Sequence, residues 1–172
     1  MTHKTLFAKY LKKLSEVALQ GDAREESFYP ALAQMLAEAA QAGGRADVHV
    51  TMLPAQTDAG NPDFRLWNGK DRIIGYVEAK KPTEERLDVI ENSEQLRRYR
   101  ATFPNLILTN FLEFRLYRNG EIVETVLAAR PMALNLLRTV PPLEKPEELS
   151  GLLGRFLDFS LPKAFTAESL AV

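Results

Sequence analysis

Pro62-Asp63-Phe64-Arg65-Leu66-Trp67-Asn68-Gly69, followed by Arg72-Ile73-Ile74-Gly75-Tyr76-Val77-Glu78-Ala79-Lys80, is the stretch whose reading decides the fold. Two apolar runs are joined by Asn68-Gly69, a dipeptide that tolerates positive φ and so predicts a tight hairpin turn. Side chains on a strand alternate faces, so Glu78 and Lys80 point the same way while Ala79 packs behind them. The hairpin brings Asp63 beside that pair. Two hard oxygen ligands at one spot suit Mg²⁺ or Mn²⁺, which retain waters and take substrate phosphate at their remaining positions. A lysine alongside can orient an attacking water or offset charge developing on a phosphate. The bland alternative is a surface hairpin whose charges face water. The elements on either side argue against it.

Upstream, Leu6, Phe7, Tyr10, Leu11, Leu14 and Val17 recur at helical spacing from about Thr5 to Gln20, and Gly21 ends that pattern. A second helix is expected from about Arg24 to Ala42, ended by Gly43-Gly44. Pro30 is tolerable there if regular helix starts near Ser27, where the early N–H groups lack partners anyway. Val48, Val50 and Met52 alternate with polar residues as a first strand. Downstream of the hairpin, a helix carries Gln95-Leu96-Arg97-Arg98-Tyr99 and breaks at Phe103-Pro104. Asn105 to Thr109 then reads as a buried strand. Strands around Phe111–Tyr117 and Ile122–Leu127 form a hairpin across Asn119-Gly120. Pro131, Pro141, Pro142 and Pro146 mark a loop-rich passage with a short helix between, followed by an amphipathic helix from Glu147 to Phe159. The order predicts an α/β fold: an α-β-β-β-α-β core with a mixed central sheet flanked by helices, plus an extra C-terminal β-hairpin and helix.

The pattern D-x₁₄-E-x-K, formed by Asp63, Glu78 and Lys80 within that order, resembles the PD-(D/E)xK nuclease superfamily. Gln95 and Tyr99 are four apart and share a helix face. They are similar to the Q-x-x-x-Y element that RecB-type members place beside the metal. The resemblance implies a restriction-endonuclease-like fold in which Asp63 and Glu78 bind Mg²⁺ (or Mn²⁺), with the Ala79 carbonyl as a further ligand. Lys80 would assist the water nucleophile, and Gln95 with Tyr99 would support the site or touch the phosphate backbone. Members often carry another glutamate on the helix before the core strands. Helical spacing aligns Glu25 with Phe28, Leu32, Met35 and Leu36, toward the sheet, while Glu26 faces elsewhere. The structural alternative has Asp22 capping the helix and Glu25 completing a capping box.

Four segments together resemble the amino-terminal nuclease domain of type ISP and type IIG-like restriction-modification enzymes. They are Glu25-x-Ser27-Phe28-x-Pro30, Asn61-Pro62-Asp63-Phe64, Glu78-Ala79-Lys80-Lys81-Pro82 and Leu161-Pro162-Lys163-Ala164-Phe165. Such enzymes fuse the nuclease to an adenine methyltransferase, sometimes with a helicase-like motor between. The expectation is therefore a nuclease domain over residues 1–130 and a loop-rich linker and helix over 131–172, leading toward a further domain. Thr166 to Leu170 looks like the start of another helix. Expected partners are double-stranded DNA and methyltransferase or helicase-like domains of the same polypeptide.

Composition bounds the rest. At 172 residues the chain suits one domain with a substantial core. Its 45% hydrophobic content with nearly balanced charge excludes a disordered chain. The absence of cysteine removes disulfides, thiolate zinc and a thiol nucleophile, and points to the cytoplasm. The sequence shows no signal peptide and no spanning segment, so no membrane partner is expected. A net charge of −1 argues against gripping nucleic acid by bulk electrostatics. Arg97, Arg98 and Arg100 on the Gln95 helix, with Lys81 beside the catalytic hairpin, are instead expected to contact DNA weakly and in a salt-sensitive way. Their alternative is simple solvation. His3 and His49 are the only histidines, and nothing resembles a nucleophile elbow. Lacking a phosphate-binding glycine loop, the chain is not expected to bind a nucleotide. Within the same fold, a RecB-type repair or recombination nuclease is the runner-up. A catalytically silent DNA-binding or docking module is another alternative, against which the intact Asp63, Glu78 and Lys80 argue.

Overall fold

Strand β3 (Ile73–Ala79), buried along its whole length, is the axis on which the structure is built. The computed structural model describes residues 2–159. Before β3 come α1 (His3–Leu19), a 3₁₀ turn (Glu25–Phe28), α2 (Tyr29–Ala42), β1 (His49–Met52) and β2 (Phe64–Trp67). After it come α3 (Leu87–Ile90), α4 (Glu94–Thr102), β4 (Asn105–Thr109), β5 (Glu113–Arg118), β6 (Glu121–Leu127), α5 (Pro131–Asn135) and α6 (Pro146–Leu157). The six strands pair in chain order, and only β3 and β4 run parallel. A parallel pair needs a crossover, and α3 with α4 supplies it. This is the expected α-β-β-β-α-β core with its added hairpin and helix.

Alternation along β3 divides the core into two layers. Val77 and Ala79 pack with Leu6, Leu11, Leu32 and Leu36 of α1 and α2, and with Leu152 and Phe156 of α6. Tyr76 packs instead with Leu96, Tyr99 and Phe103 at α4. Within the 131–172 stretch, expected as a loop-rich linker and helix, α6 packs into the main core. Its end is tied to the sheet by the buried Asn105 amide, which donates to the carbonyls of Ile74 and Phe156, both at 2.9 Å. Gly75 allows this approach. A Cβ there would lie 2.6 Å from the Asn105 carbonyl oxygen and 2.8 Å from the Phe156 ring.

Several local expectations change. The second helix begins with the 3₁₀ turn, and regular helix starts at Tyr29 with Pro30 in its first turn, where no N–H is missed. Asp22 does not cap it, because the Arg24 N–H closes the turn on Ser27 Oγ at 2.9 Å. The Asn119-Gly120 turn is the expected two-residue hairpin, with φ of 52° and 83°. Asn68-Gly69 is not. The Asn68 side chain accepts from the N–H groups of Lys70, Asp71 and Arg72, so a longer loop joins β2 to β3. Phe111 is buried with φ of 77°, and its carbonyl accepts from Tyr10 Oη at 2.7 Å, which anchors this strained residue to α1. Leu161–Phe165 and Thr166–Leu170 lie outside the described residues. Among those described, no helix is long and apolar enough to cross a membrane.

Candidate active site

Asp63 stands at the entrance of β2. The register Phe64↔Val77 makes Asp63 and Glu78 the next facing pair, on the side of the sheet toward α4. Asp63 is held twice: its Oδ2 accepts the Ala79 N–H at 2.8 Å, and its carbonyl accepts the Leu53 N–H at 2.7 Å. Ala79 itself is fully buried against the α1–α2 layer, as its alternation requires.

Glu78 is 3% exposed, an unusual place for a carboxylate. Burial, then the negative charge of Asp63, push its carboxyl up to about 8, while Lys80 opposes the shift. Lys80 Nζ donates to Glu78 Oε2 at 3.2 Å and to Gln95 Oε1 at 3.1 Å. The Lys80 main chain is fixed by its N–H on the Thr109 carbonyl at 2.8 Å, so the end of β4 aims the lysine. Gln95 Nε2 in turn lies 3.4 Å from Tyr99 Oη. Helix α4 presents this face because Ser93 caps it, accepting the Leu96 N–H. Burial, with the charges of Glu78 and Asp63, pushes the Tyr99 hydroxyl up to about 12, so it remains a donor. Glu78 Oε1 is buried without a hydrogen-bond partner.

Glu25 reaches the same place from the opposite layer. Tyr29 Oη donates to Glu25 Oε1 at 3.1 Å, and the Tyr29 ring packs on Phe64 at 4.9 Å. Burial raises the Glu25 carboxyl, the Tyr29 hydrogen bond opposes this, and the charges of Asp63 and Lys80 act with opposite signs. Burial and then Asp63 also hold the Tyr29 hydroxyl well above its ordinary value. Tyr29 thus holds Glu25 beside Phe64 and Asp63, a role that sequence reading missed. The one available signal was its position four residues after Glu25 on a helical repeat. Glu26 is exposed.

The arginines do not share one surface. Arg97 is exposed. Arg98 donates through Nε to the Ala59 carbonyl at 3.1 Å and pairs with Glu94. Arg100 donates to the carbonyls of Gly120 and Glu91 and lies over the Tyr117 ring, which commits it to joining α4 to the β5–β6 turn. Lys81 is exposed directly after Lys80.

Among the described residues no group of three or more His, Cys, Asp or Glu is disposed to hold a metal. The donors available here are two carboxylates and main-chain oxygen. Such an all-oxygen set, with one orphaned carboxylate oxygen, fits a hard divalent cation that keeps most of its waters and does not fit zinc.

No protein-family model and no curated protein matches the chain. Solved structures do. The chain is similar to the cryo-EM structure of a DrdV–DNA complex, with a TM-score of 0.66 and 25% identity. The likeness covers 90% of this chain and 14% of that one. The mixed six-stranded sheet flanked by helices is a restriction-endonuclease-like fold.

Proposed function

We propose that the chain is a Mg²⁺-dependent DNA endonuclease domain of the PD-(D/E)xK type. The observation that carries this reading is the convergence of Asp63, Glu78 and Lys80, with Glu78 buried, raised in pKa and short of one hydrogen-bond partner. A perturbed carboxylate beside a lysine at the exit of a central strand is more useful to chemistry than to stability. Asp63, Glu78 and the Ala79 carbonyl would hold the cation. Bound there, Mg²⁺ supplies charge for the scissile phosphate and a more acidic water.

The chain's own groups do the positioning. Glu78 must release its proton for its oxygens to serve as ligands, and the neighbouring ammonium of Lys80 favours that release. Lys80 also places positive charge where a phosphate gains negative charge. Gln95 restrains the lysine, and Tyr99 lies within reach of Gln95. Glu25, held by Tyr29, supplies a second acceptor that can orient water. Double-stranded DNA is the proposed substrate, supported by the likeness to a protein solved in complex with DNA. That likeness lies within a much longer chain, which supports placing this domain beside methyltransferase or helicase-like domains in a fused restriction-modification enzyme.

Metal selection tests the reading. Mg²⁺ and Mn²⁺ should support cutting of duplex DNA, and EDTA should abolish it. Ca²⁺ should bind with little turnover because its looser coordination places water poorly. Cutting that persists after exhaustive EDTA treatment would overturn the assignment.

A further inference from the structure

A cavity of about 250 Å³ lies beside the Asp63–Glu78 site, bordered by Arg24, Glu25, Lys81, Pro82, Asn135 and Arg138. Glu25 belongs to both places: it lines the cavity, and it accepts from Tyr29, whose ring packs on Phe64, the residue next to Asp63. Lys81 likewise follows the lysine that bonds Glu78. The far wall comes from the segment after β6. It is fastened to the exit of β3 by Asn135 Nδ2, which donates to the Pro82 carbonyl at 2.9 Å. Arg138 reaches the cavity from a residue with φ of 55°, a backbone state that a bulky side chain adopts only when its surroundings impose it.

Three cations therefore surround one opening with a single carboxylate among them. Arg24, Lys81 and Arg138 are all exposed and make no ion pair among the described residues. Like charges gathered without counter-ions repel one another, and an anion relieves that repulsion. The space is below the ~300–1,000 Å³ typical of enclosed small-molecule sites, and it is open rather than enclosed. A polyanion passing through fits such a shape better than an enclosed ligand does.

We infer that Arg24, Lys81 and Arg138 form a backbone subsite, which holds a DNA phosphate neighbouring the one presented to Asp63 and Glu78. This rests on the nuclease reading for its substrate, yet it places the grip on the strand in the cleft, away from the α4 arginines. Arg98 and Arg100 are already committed to main-chain carbonyls. The loop after β6 then acts in substrate positioning, since it brings Arg138 to the exit of the catalytic strand.

The test measures binding of a fluorescently labelled duplex to the full chain in EDTA, by anisotropy across a salt series. One protein carries Arg24→Gln, Lys81→Gln and Arg138→Gln together. A control carries Lys4→Gln, Lys12→Gln and Lys13→Gln, which removes the same charge from exposed positions of α1. Each phosphate contact contributes about 0.9 to the slope of log affinity against log salt. The cleft variant should therefore lose roughly one unit of slope and at least about tenfold in affinity at low salt, while the control changes less than about twofold. Equal weakening of both variants would overturn the inference, as would wild type that fails to bind at low salt. Displacement of the DNA by polyglutamate as readily as by unlabelled duplex would also overturn it, in favour of a generic anion surface. Because the assay omits metal, it separates the two claims. Cleft-dependent binding without cutting in Mg²⁺ would retire the nuclease reading alone, and cutting by a cleft variant that binds like wild type would retire the subsite alone.

Discussion

Replacing Glu78 by Gln should stabilise the metal-free protein at alkaline pH, although it removes a residue placed at the centre of the site. Glu78 rises from 4.5 to about 8 on folding because burial and Asp63 disfavour its charge. The sign follows from proton linkage. Below about pH 4.5 the carboxyl is protonated in both states, so the substitution is nearly neutral there. Between about 4.5 and 8 the unfolded chain ionises while the folded one keeps its proton, and wild type loses stability progressively. Above about 8 the whole loss is present. Each pH unit of displacement corresponds to about 1.4 kcal/mol, so the expected gain for the Gln variant is at most on the order of 5 kcal/mol. The amide keeps the volume of the side chain, and its oxygen can still accept from Lys80. Urea midpoints in EDTA, at steps from about pH 5 to 9, read the difference directly when the slopes match. Adding Mg²⁺ should then favour wild type, since only a protein that binds the ion gains from it. A Gln variant no more stable than wild type at about pH 9, or a difference independent of pH, would refute the electrostatic argument.

Other consequences follow from the same geometry. Lys80→Ala should abolish cutting while leaving Mn²⁺ binding by Asp63 and Glu78 intact; calorimetric titration that shows lost binding would make the lysine a structural support of the ligands. Gly75→Ala should destabilise by about 1–3 kcal/mol or more, read by urea unfolding, because its Cβ meets the Asn105 carbonyl and the Phe156 ring below normal contact distance. A neutral result would mean that α6 docks less closely than described. Tyr10→Phe should cost about 1–2 kcal/mol by leaving the buried Phe111 carbonyl without its donor, and a change too small to resolve would show that water replaces the hydroxyl.

The elements legible in the sequence were those with strong periodicity. Apolar spacing located α1, and an unbroken apolar run located β4, because burial on one face or on both writes such patterns directly. The facing of Asp63, Glu78 and Lys80 was likewise legible, since strand alternation and one antiparallel hairpin determine it. Turn detail was not. Asn68 and Asn119 precede glycine alike, but a bulge between Leu66 and Trp67 shifts the register, so Asn68 organises a longer loop. Long-range polar contacts also leave no local trace. The packing of Tyr29, which holds Glu25, onto Phe64 of β2, and the commitment of Arg100 to two carbonyls distant in sequence, arise only when separate elements pack.

The most direct measurement is single-turnover cleavage of a labelled duplex in Mg²⁺ by wild type and Asp63→Ala, purified side by side in the same polypeptide context. Asp63→Ala leaves the buried Ala79 N–H without its acceptor, so the variant should lose about 1–3 kcal/mol yet remain folded, as its urea unfolding curve would show. Wild type is expected to cut, and the folded variant to leave the duplex intact. Equal cutting by the two proteins would contradict the assignment of Asp63 and Glu78 as the catalytic centre.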